Sequence, residues 1–266
     1  MNPYQTFLQF TIETARAAGQ VIRQGAQNGF DARQKGVRDF VTDVDLAAER
    51  TIIQAIRDQF PTHDILSEET PPEQRNSRYQ WIIDPLDGTG NFVHHFPHFA
   101  TSIALAYDDR PIAGVVYDPI QERLFAAAVG AGATLNGQTL RVSSNQDWLN
   151  TQIGMDWSRD EQIRPQIVRV IGELAVHSGS IRCSGSAALG ICYVAAGWWD
   201  AYFHLQLSAW DAAAGAVIVR EAGGVVTDTA GQPWRPGTGA VIASNGALHE
   251  QFCGHVNRGR KKAFTR

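Results

Sequence analysis

The chain has 266 residues, with 23 Lys+Arg against 27 Asp+Glu and a formal net charge of −4. Hydrophobic residues make up 44% and charged residues 19%, the composition of a globular chain whose core is large enough to need no disulfides. The mildly acidic balance offers no broad basic face, so nucleic acid is an unlikely partner, and a phosphate-bearing substrate needs cations supplied locally.

Leu8, Ile12, Ala15, Ala18 and Ile22 recur at helical spacing and predict a helix over 3–26. Gly25, Gly29 and Gly36 then loosen the chain before a second helix over 43–60, with Leu46, Ile53, Ile56 and Phe60 on one face. Short apolar runs at 64–66, 81–83, 101–107, 112–117 and 124–128 read as strands, and Asn136-Gly137 as a hairpin turn. From Leu149 the pattern alternates: strand 151–155, helix 161–175, strand 180–183, helix 186–195, strand 199–205. An Ala-rich helix over 211–222 follows, ended by Gly223-Gly224, with strands near 225–228 and 240–244. These elements predict an α/β (α+β) chain, one domain over 1–266 in two packed halves, about 1–148 and 149–256. Residues 257–266 carry Arg258, Arg260, Lys261, Lys262 and Arg266 and read as a basic, frayed tail.

Cys183, Cys192 and Cys253 form no C-x-x-C pair, which favours a reducing compartment. The start of the chain has no basic segment leading into an apolar one. The weakly polar stretch Ser186–Trp199 is 14 residues long, short of the roughly 20 that span a bilayer. A cytoplasmic protein without a membrane partner is expected.

The chemistry concentrates in Trp81-Ile-Ile-Asp84-Pro-Leu86-Asp87-Gly88-Thr89-Gly90. An apolar strand ends in two carboxylates, and Pro85 is expected to stop the strand pairing there. Oxygen donors on one loop, without His or Cys, suit a hard cation such as Mg²⁺. Gly88 and Gly90 bare the backbone N–H groups beside Thr89, where a phosphate could sit. Simpler roles compete: Asp-Pro and Asp-Gly are common turn formers, and Thr89 could be only a helix N-cap. Asp45 and Asp211 each stand three residues after a hydroxyl residue, Thr42 and Ser208, as capping boxes require. The two roles are compatible, because one carboxylate oxygen can cap while the other ligates. His94, His95 and His98 resemble a transition-metal cluster, but the neighbouring oxygen-rich motif makes them rim or loop residues. Trp198-Trp199 reads as core or interface packing.

Taken together, Glu68-Glu69, Asp84-Pro-Leu-Asp87-Gly88-Thr89, Trp210-Asp211-x-Ala-Ala-Gly215 and Glu221-Ala-Gly-Gly224 resemble the inositol monophosphatase family of metal-dependent, lithium-sensitive phosphomonoesterases. Order and spacing match from residue 35 to about 245. The resemblance implies a layered αβαβα sandwich, also seen in fructose 1,6-bisphosphatases, a homodimer, and two to three Mg²⁺ ions. By that resemblance Glu68, Asp84 and the Leu86 carbonyl hold one metal, and Asp84, Asp87 and Asp211 a second. Glu68 touches a third. Asp45 and Thr89 orient the attacking water, and Gly88 and Thr89 meet the phosphate. Gly185, Ser186 and Ala187 match a small-residue loop near the leaving group. Lys35 stands close to a basic residue that the family carries ahead of Asp45, and Glu69 reads as a supporting partner of Glu68.

His204 is a departure, since animal members carry a glutamate seven residues before the last metal aspartate. An imidazole lacks a carboxylate's acceptor geometry. The expected activity is therefore Mg²⁺-dependent hydrolysis of a small phosphorylated metabolite, inositol 1-phosphate first. Fructose 1,6-bisphosphate, histidinol phosphate and nucleotides are alternatives on the same site. A second class of function, implied by bacterial relatives that join transcription complexes, is a regulatory, RNA-associated binding protein.

Overall fold

The computed structural model describes residues 2–261. In chain order, α1 (Gln5–Asn28) leads to a hairpin of β1 (Ala32–Gly36) and β2 (Asp39–Thr42), then α2 (Asp43–Gln59). β3 (Asp64–Ser67), β4 (Tyr79–Asp87), the short α3 (Thr89–Val93) and β5 (Ala100–Tyr107) follow. β6 (Arg110–Asp118), β7 (Arg123–Ala128), β8 (Gly132–Leu135) and β9 (Gln138–Thr139) complete the first half. The second half runs β10 (Gln152–Met155), α4 (Arg164–Ala175), β11 (Ser180–Cys183), α5 (Ala187–Ala195) and β12 (Ala201–His204). It ends with α6 (Ala209–Glu221), β13 (Val225–Thr227), β14 (Val241–Ser244) and α7 (His249–Lys261).

β3 to β9 form a seven-stranded sheet in sequence order, antiparallel except for the parallel β3–β4 pair. The second sheet has five strands in the order β11-β10-β12-β14-β13, with β11, β10 and β12 parallel. Strand periodicity sorts the core between them. Trp81, Ile83, Ile103, Leu105 and Val115 pack with Ala15, Ile22, Ile52 and Ile56 of α1 and α2. Their alternates Ile82, Ala104, Ala106 and Val116 face the opposite way, onto α5 and α6. The far side of the five-stranded sheet, through Ile153, Phe203 and Ile242, packs against Ile167 and Val170 of α4 and Phe252 and Val256 of α7. The layers are therefore helix, sheet, helix, sheet, helix, as the resemblance implied.

Because the central strands are covered on both faces, they read as continuous apolar runs and were easy to place from sequence. β4 is the exception at its end. Pairing with β5 continues past Pro85, with Asp84 opposite Ser102 and Asp87 opposite Ala100. Three steps on one strand against two on the other make a bulge, so Pro85 bends the strand instead of stopping it. The basic run expected to fray from 257 instead continues α7 to Lys261, with Val256 and Gly259 buried; residues 262–266 lie outside the described residues.

α6 sits unusually close to β6. A Cβ on Gly114 would lie 2.7 Å from both Cα and O of Ala214. Gly114→Val should therefore force α6 off the sheet and cost roughly 1–3 kcal/mol. A lower urea midpoint with an unchanged slope would show this; an unchanged midpoint would mean that α6 is not seated as described.

Candidate active site

Four segments deliver the carboxylates. The bulge at the end of β4 carries Asp84 and Asp87 on opposite sides of Pro85, and the Leu86 N–H donates to Asp84 Oδ1 at 3.0 Å. The first turn of α6 brings Asp211, and the segment after β3 brings Glu68. The start of α2 supplies Asp45. Oxygens of Asp84, Asp87 and Asp211 all lie within 4.8 Å of one another. Glu68 stands outside this triangle, yet its charge raises the affinity of all three aspartates for protons.

The capping boxes are real. Thr42 N–H donates to Asp45 Oδ2 at 2.9 Å, and Ser208 N–H to Asp211 Oδ2 at 2.7 Å. In each case one carboxylate oxygen starts a helix. Asp45 uses the other: Oδ1 accepts the Thr89 hydroxyl at 3.0 Å, and the same hydroxyl lies 3.0 Å from the Leu86 carbonyl. Thr89 thus links Asp45 to the bulge.

Electrostatics show what the cluster would take. Burial, then the charges of Glu68, Asp87 and Asp211, hold Asp84 well above the usual carboxylate range. Burial, with Asp87 and Glu68 nearby, pushes Asp211 up to about 8. Asp87 is pushed up to about 7 by burial, although Ser186 and the Ala188 N–H oppose it by donating hydrogen bonds. Asp45 is raised by burial as well. Carboxyls this close cannot all ionise without cations. The donors are all oxygen, so the residues fit a hard divalent cation of the Mg²⁺ type.

Two protein cations approach from one side. Lys35 Nζ reaches Glu68 Oε1 at 3.1 Å and also pairs with Glu69, and Arg159 lies 3.6 Å from Glu68 and 2.9 Å from Asp39. Glu49, buried on α2 four residues beyond Asp45, accepts from Ser67, from the Glu69 N–H at 3.1 Å and from Thr70 at 3.3 Å. It anchors the turn that presents Glu68. Glu49→Ala would orphan three donors, costing roughly 1–3 kcal/mol. Mg²⁺ affinity is expected to fall by roughly 10-fold or more, as for other residues that orient a ligand. Unchanged Mg²⁺ titration would disprove that anchoring role.

The remaining candidates divide. Gly88, Thr89, Gly185, Ala187 and His204 line a cavity of about 540 Å³ together with Asp87 and Asp211. Gly88 has a φ of +87°, and a Cβ there would meet the Gly185 and His98 carbonyls at 3.1 Å, so the turn needs glycine. Ser186 is fully buried and its hydroxyl donates to Asp87; the Ala187 N–H reaches Asp87 at 3.3 Å. Both therefore hold one of the three clustered carboxylates in place. His204 accepts the Gln206 N–H at Nδ1, 3.1 Å, and burial pushes it down to about 4, so the ring is neutral near pH 7 and its Nδ1 is already used within the chain. Asp156, with Ser184 N–H at 2.9 Å and Tyr202 at 3.1 Å, shapes the 183–186 loop. Among the described residues, His94, His95 and His98 join no metal-capable grouping.

The family profile described as "Inositol monophosphatase family" matches residues 4–261. The chain belongs to the inositol monophosphatase family. "Nus factor SuhB" of Escherichia coli (strain K12) is 42% identical over 242 residues, 90% of this chain and 91% of that protein. The solved "extragenic suppressor protein suhB" of Bartonella henselae superposes with a TM-score of 0.91 at 32% identity, covering 96% of this chain and all of that one. "SaIMPase-II", solved with inositol monophosphate bound, gives 0.80 at 30% identity, covering 96% and 95%. The name Nus factor leaves the expectation against a nucleic-acid partner without support. No helix among the described residues is long and apolar enough to cross a membrane.

Glu49, Asp156 and Arg159 carry roles that the sequence did not reveal. Glu49 had a readable signal, its i,i+4 spacing from Asp45 at the start of α2. Arg159 and Asp156 sit in an irregular segment after β10, without any local pattern.

Proposed function

We propose that the chain is a Mg²⁺-dependent phosphomonoesterase acting on a small phosphorylated metabolite, with inositol 1-phosphate as the first candidate. The observation that carries this is the oxygen-only triangle of Asp84, Asp87 and Asp211, of which Asp87 and Asp211 line an open cavity. Membership of the inositol monophosphatase family and the inositol monophosphate in a structural relative support the substrate class.

Glu68, Asp84, the Leu86 carbonyl, Asp87 and Asp211 would hold two to three ions. When bound, Mg²⁺ neutralises the phosphate dianion and acidifies water. The chain's own part is positioning and proton traffic. Asp45, buried and raised in proton affinity, accepts the Thr89 hydroxyl and can draw a proton from the attacking water through it. Gly88, Thr89 and Gly90 line the cavity where phosphate oxygens would lie, and Ser186 and Ala187 keep Asp87 in place. With His204 Nδ1 taken by the Gln206 N–H, alcohol recognition falls chiefly to Ser158, Gln206 and the Arg38–Arg164 rim. That rim favours substrates with a second polar or anionic group. We further propose a homodimer; Trp198, 44% exposed, is its leading contact candidate.

Phosphate release from inositol 1-phosphate, fructose 1,6-bisphosphate, histidinol phosphate and 2′-AMP tests this in EDTA, in Mg²⁺ and in Mg²⁺ with Li⁺. Turnover that needs Mg²⁺ and falls with Li⁺ is expected. No turnover on any member in Mg²⁺ would overturn the phosphatase reading for this panel.

The shared name Nus factor favours a second reading, a regulatory role bound to RNA or its protein partners. Binding to structured RNA that survives Asp84→Asn would establish it as separate from hydrolysis.

A further inference from the structure

A second grouping of metal-capable side chains lies in the outermost helix layer, away from the aspartates. Glu173 near the end of α4, His177 just beyond that helix and His255 on α7 offer ligand atoms that all lie within 4.8 Å of one another. We propose that these three residues form a transition-metal site, suited to Zn²⁺, that pins α7 onto α4.

The donor set selects the metal. Two imidazoles and one carboxylate suit Zn²⁺, Ni²⁺ or Cu²⁺ and not Mg²⁺, which prefers oxygen alone. The spacing also fits. Ligands about 2.0–2.2 Å from a tetrahedral ion are about 3.3–3.5 Å apart. His255 Nδ1 is 3.0 Å from Glu173 Oε1, and His177 Nε2 is 3.9 Å from the same oxygen. Adjustments of about half an ångström bring both of these pairs into that range, and the two imidazoles lie within 4.8 Å of each other.

The site is also built and accessible. Glu173 and His255 are buried, and Trp148 stacks on the His255 ring at 4.7 Å and 11° between planes, fixing its orientation. His177 is half exposed, with its ring 4.9 Å from that of His255, and leaves a path for an ion to enter. Arg258 Nε lies 3.1 Å from Glu173 Oε1, so the buried carboxylate is already paired across the α4–α7 contact. A divalent ion would take over that charge and add two bonds from nitrogen. Its role is structural: it clamps the last helix of the chain to the helix beneath it.

The test is Zn²⁺ titration of the full chain by calorimetry in excess Mg²⁺, with thermal melts alongside and Co²⁺ absorption to identify nitrogen ligands. One Zn²⁺ per chain that Mg²⁺ does not displace is expected, with a tetrahedral, imidazole-bearing Co²⁺ spectrum. Saturation at about 100 times Kd should raise Tm by roughly 5–10 °C. His177→Ala, at a half-exposed position that the fold does not need, should weaken binding by roughly 100-fold or more and abolish the Tm shift. His177→Cys should restore part of both. Zn²⁺ binding unchanged by His177→Ala, or fully displaced by Mg²⁺, would overturn the site. Neither result depends on phosphatase activity.

Discussion

Asp84→Asn and Asp211→Asn should each lower Mg²⁺-dependent phosphate release by roughly 10³-fold or more while making the metal-free protein melt at a higher temperature. The opposite signs follow from one arrangement. With metal, each carboxylate would hold an ion and offset its charge, and an amide cannot replace that charge. Without metal, the same charges repel by roughly 4 kcal/mol for a pair 4 Å apart near a surface. Partial protonation already relieves some of this, so an apo gain of several degrees in Tm is the expected size. Asparagine preserves the internal bonds, from the Leu86 N–H to residue 84 and from the Ser208 N–H to residue 211. Melting in EDTA at pH 8.5 and activity in Mg²⁺ measure the two effects. Full activity in both variants would refute the metal assignment, and a lowered apo Tm would refute the crowding of charge.

The second large effect is a pH dependence that metal should erase. Asp87 near 7 and Asp211 near 8 are raised far above their unfolded values of about 4. The metal-free folded state therefore binds more protons than the unfolded chain, and stability falls as pH rises through the folded values. Below about 6.5, His204, pushed down to about 4, opposes this, because the unfolded chain then binds the extra proton. The clean window lies between about 6.5 and 8. At about 1.4 kcal/mol per pH unit for each extra proton, the loss is on the order of 2 kcal/mol, or several degrees in Tm. Saturating Mg²⁺ keeps the carboxylates ionised in the folded state too, so the Mg²⁺-induced rise in Tm should grow with pH. A metal-free Tm that climbs from pH 6.5 to 8.5 would contradict the proton affinities of this cluster.

Legibility in the sequence followed the range of the interactions. Central strands buried on both faces were visible as apolar runs, and both capping boxes as hydroxyl-x-x-acid spacings. The β1–β2 hairpin was not, because β1 is exposed throughout and shows no alternation. α7 escaped because few of its residues face the core, chiefly Phe252, His255, Val256 and Gly259, and because its end from 257 reads as basic tail. At the site, the acids on β4 and α6 were legible by motif, whereas the roles of Arg159 and Asp156 depend on segments far apart in the chain. The bond from the Gln206 N–H to His204 Nδ1 depends on the turn after β12 and has no signal in the sequence.

The doubling of Asp45 and Asp211 as helix starters bears on how this lineage could drift. An asparagine at either position would still accept the backbone N–H of Thr42 or Ser208, so helix formation alone does not discriminate between the two residues. Folding would tolerate the exchange, and at Asp211 the apo protein would gain from it. The acid at Asp211 is therefore a standing expense that a bound cation would offset. A descendant that abandoned the cation would be free to become an amide at both sites, and encouraged to at Asp211, without unravelling either helix.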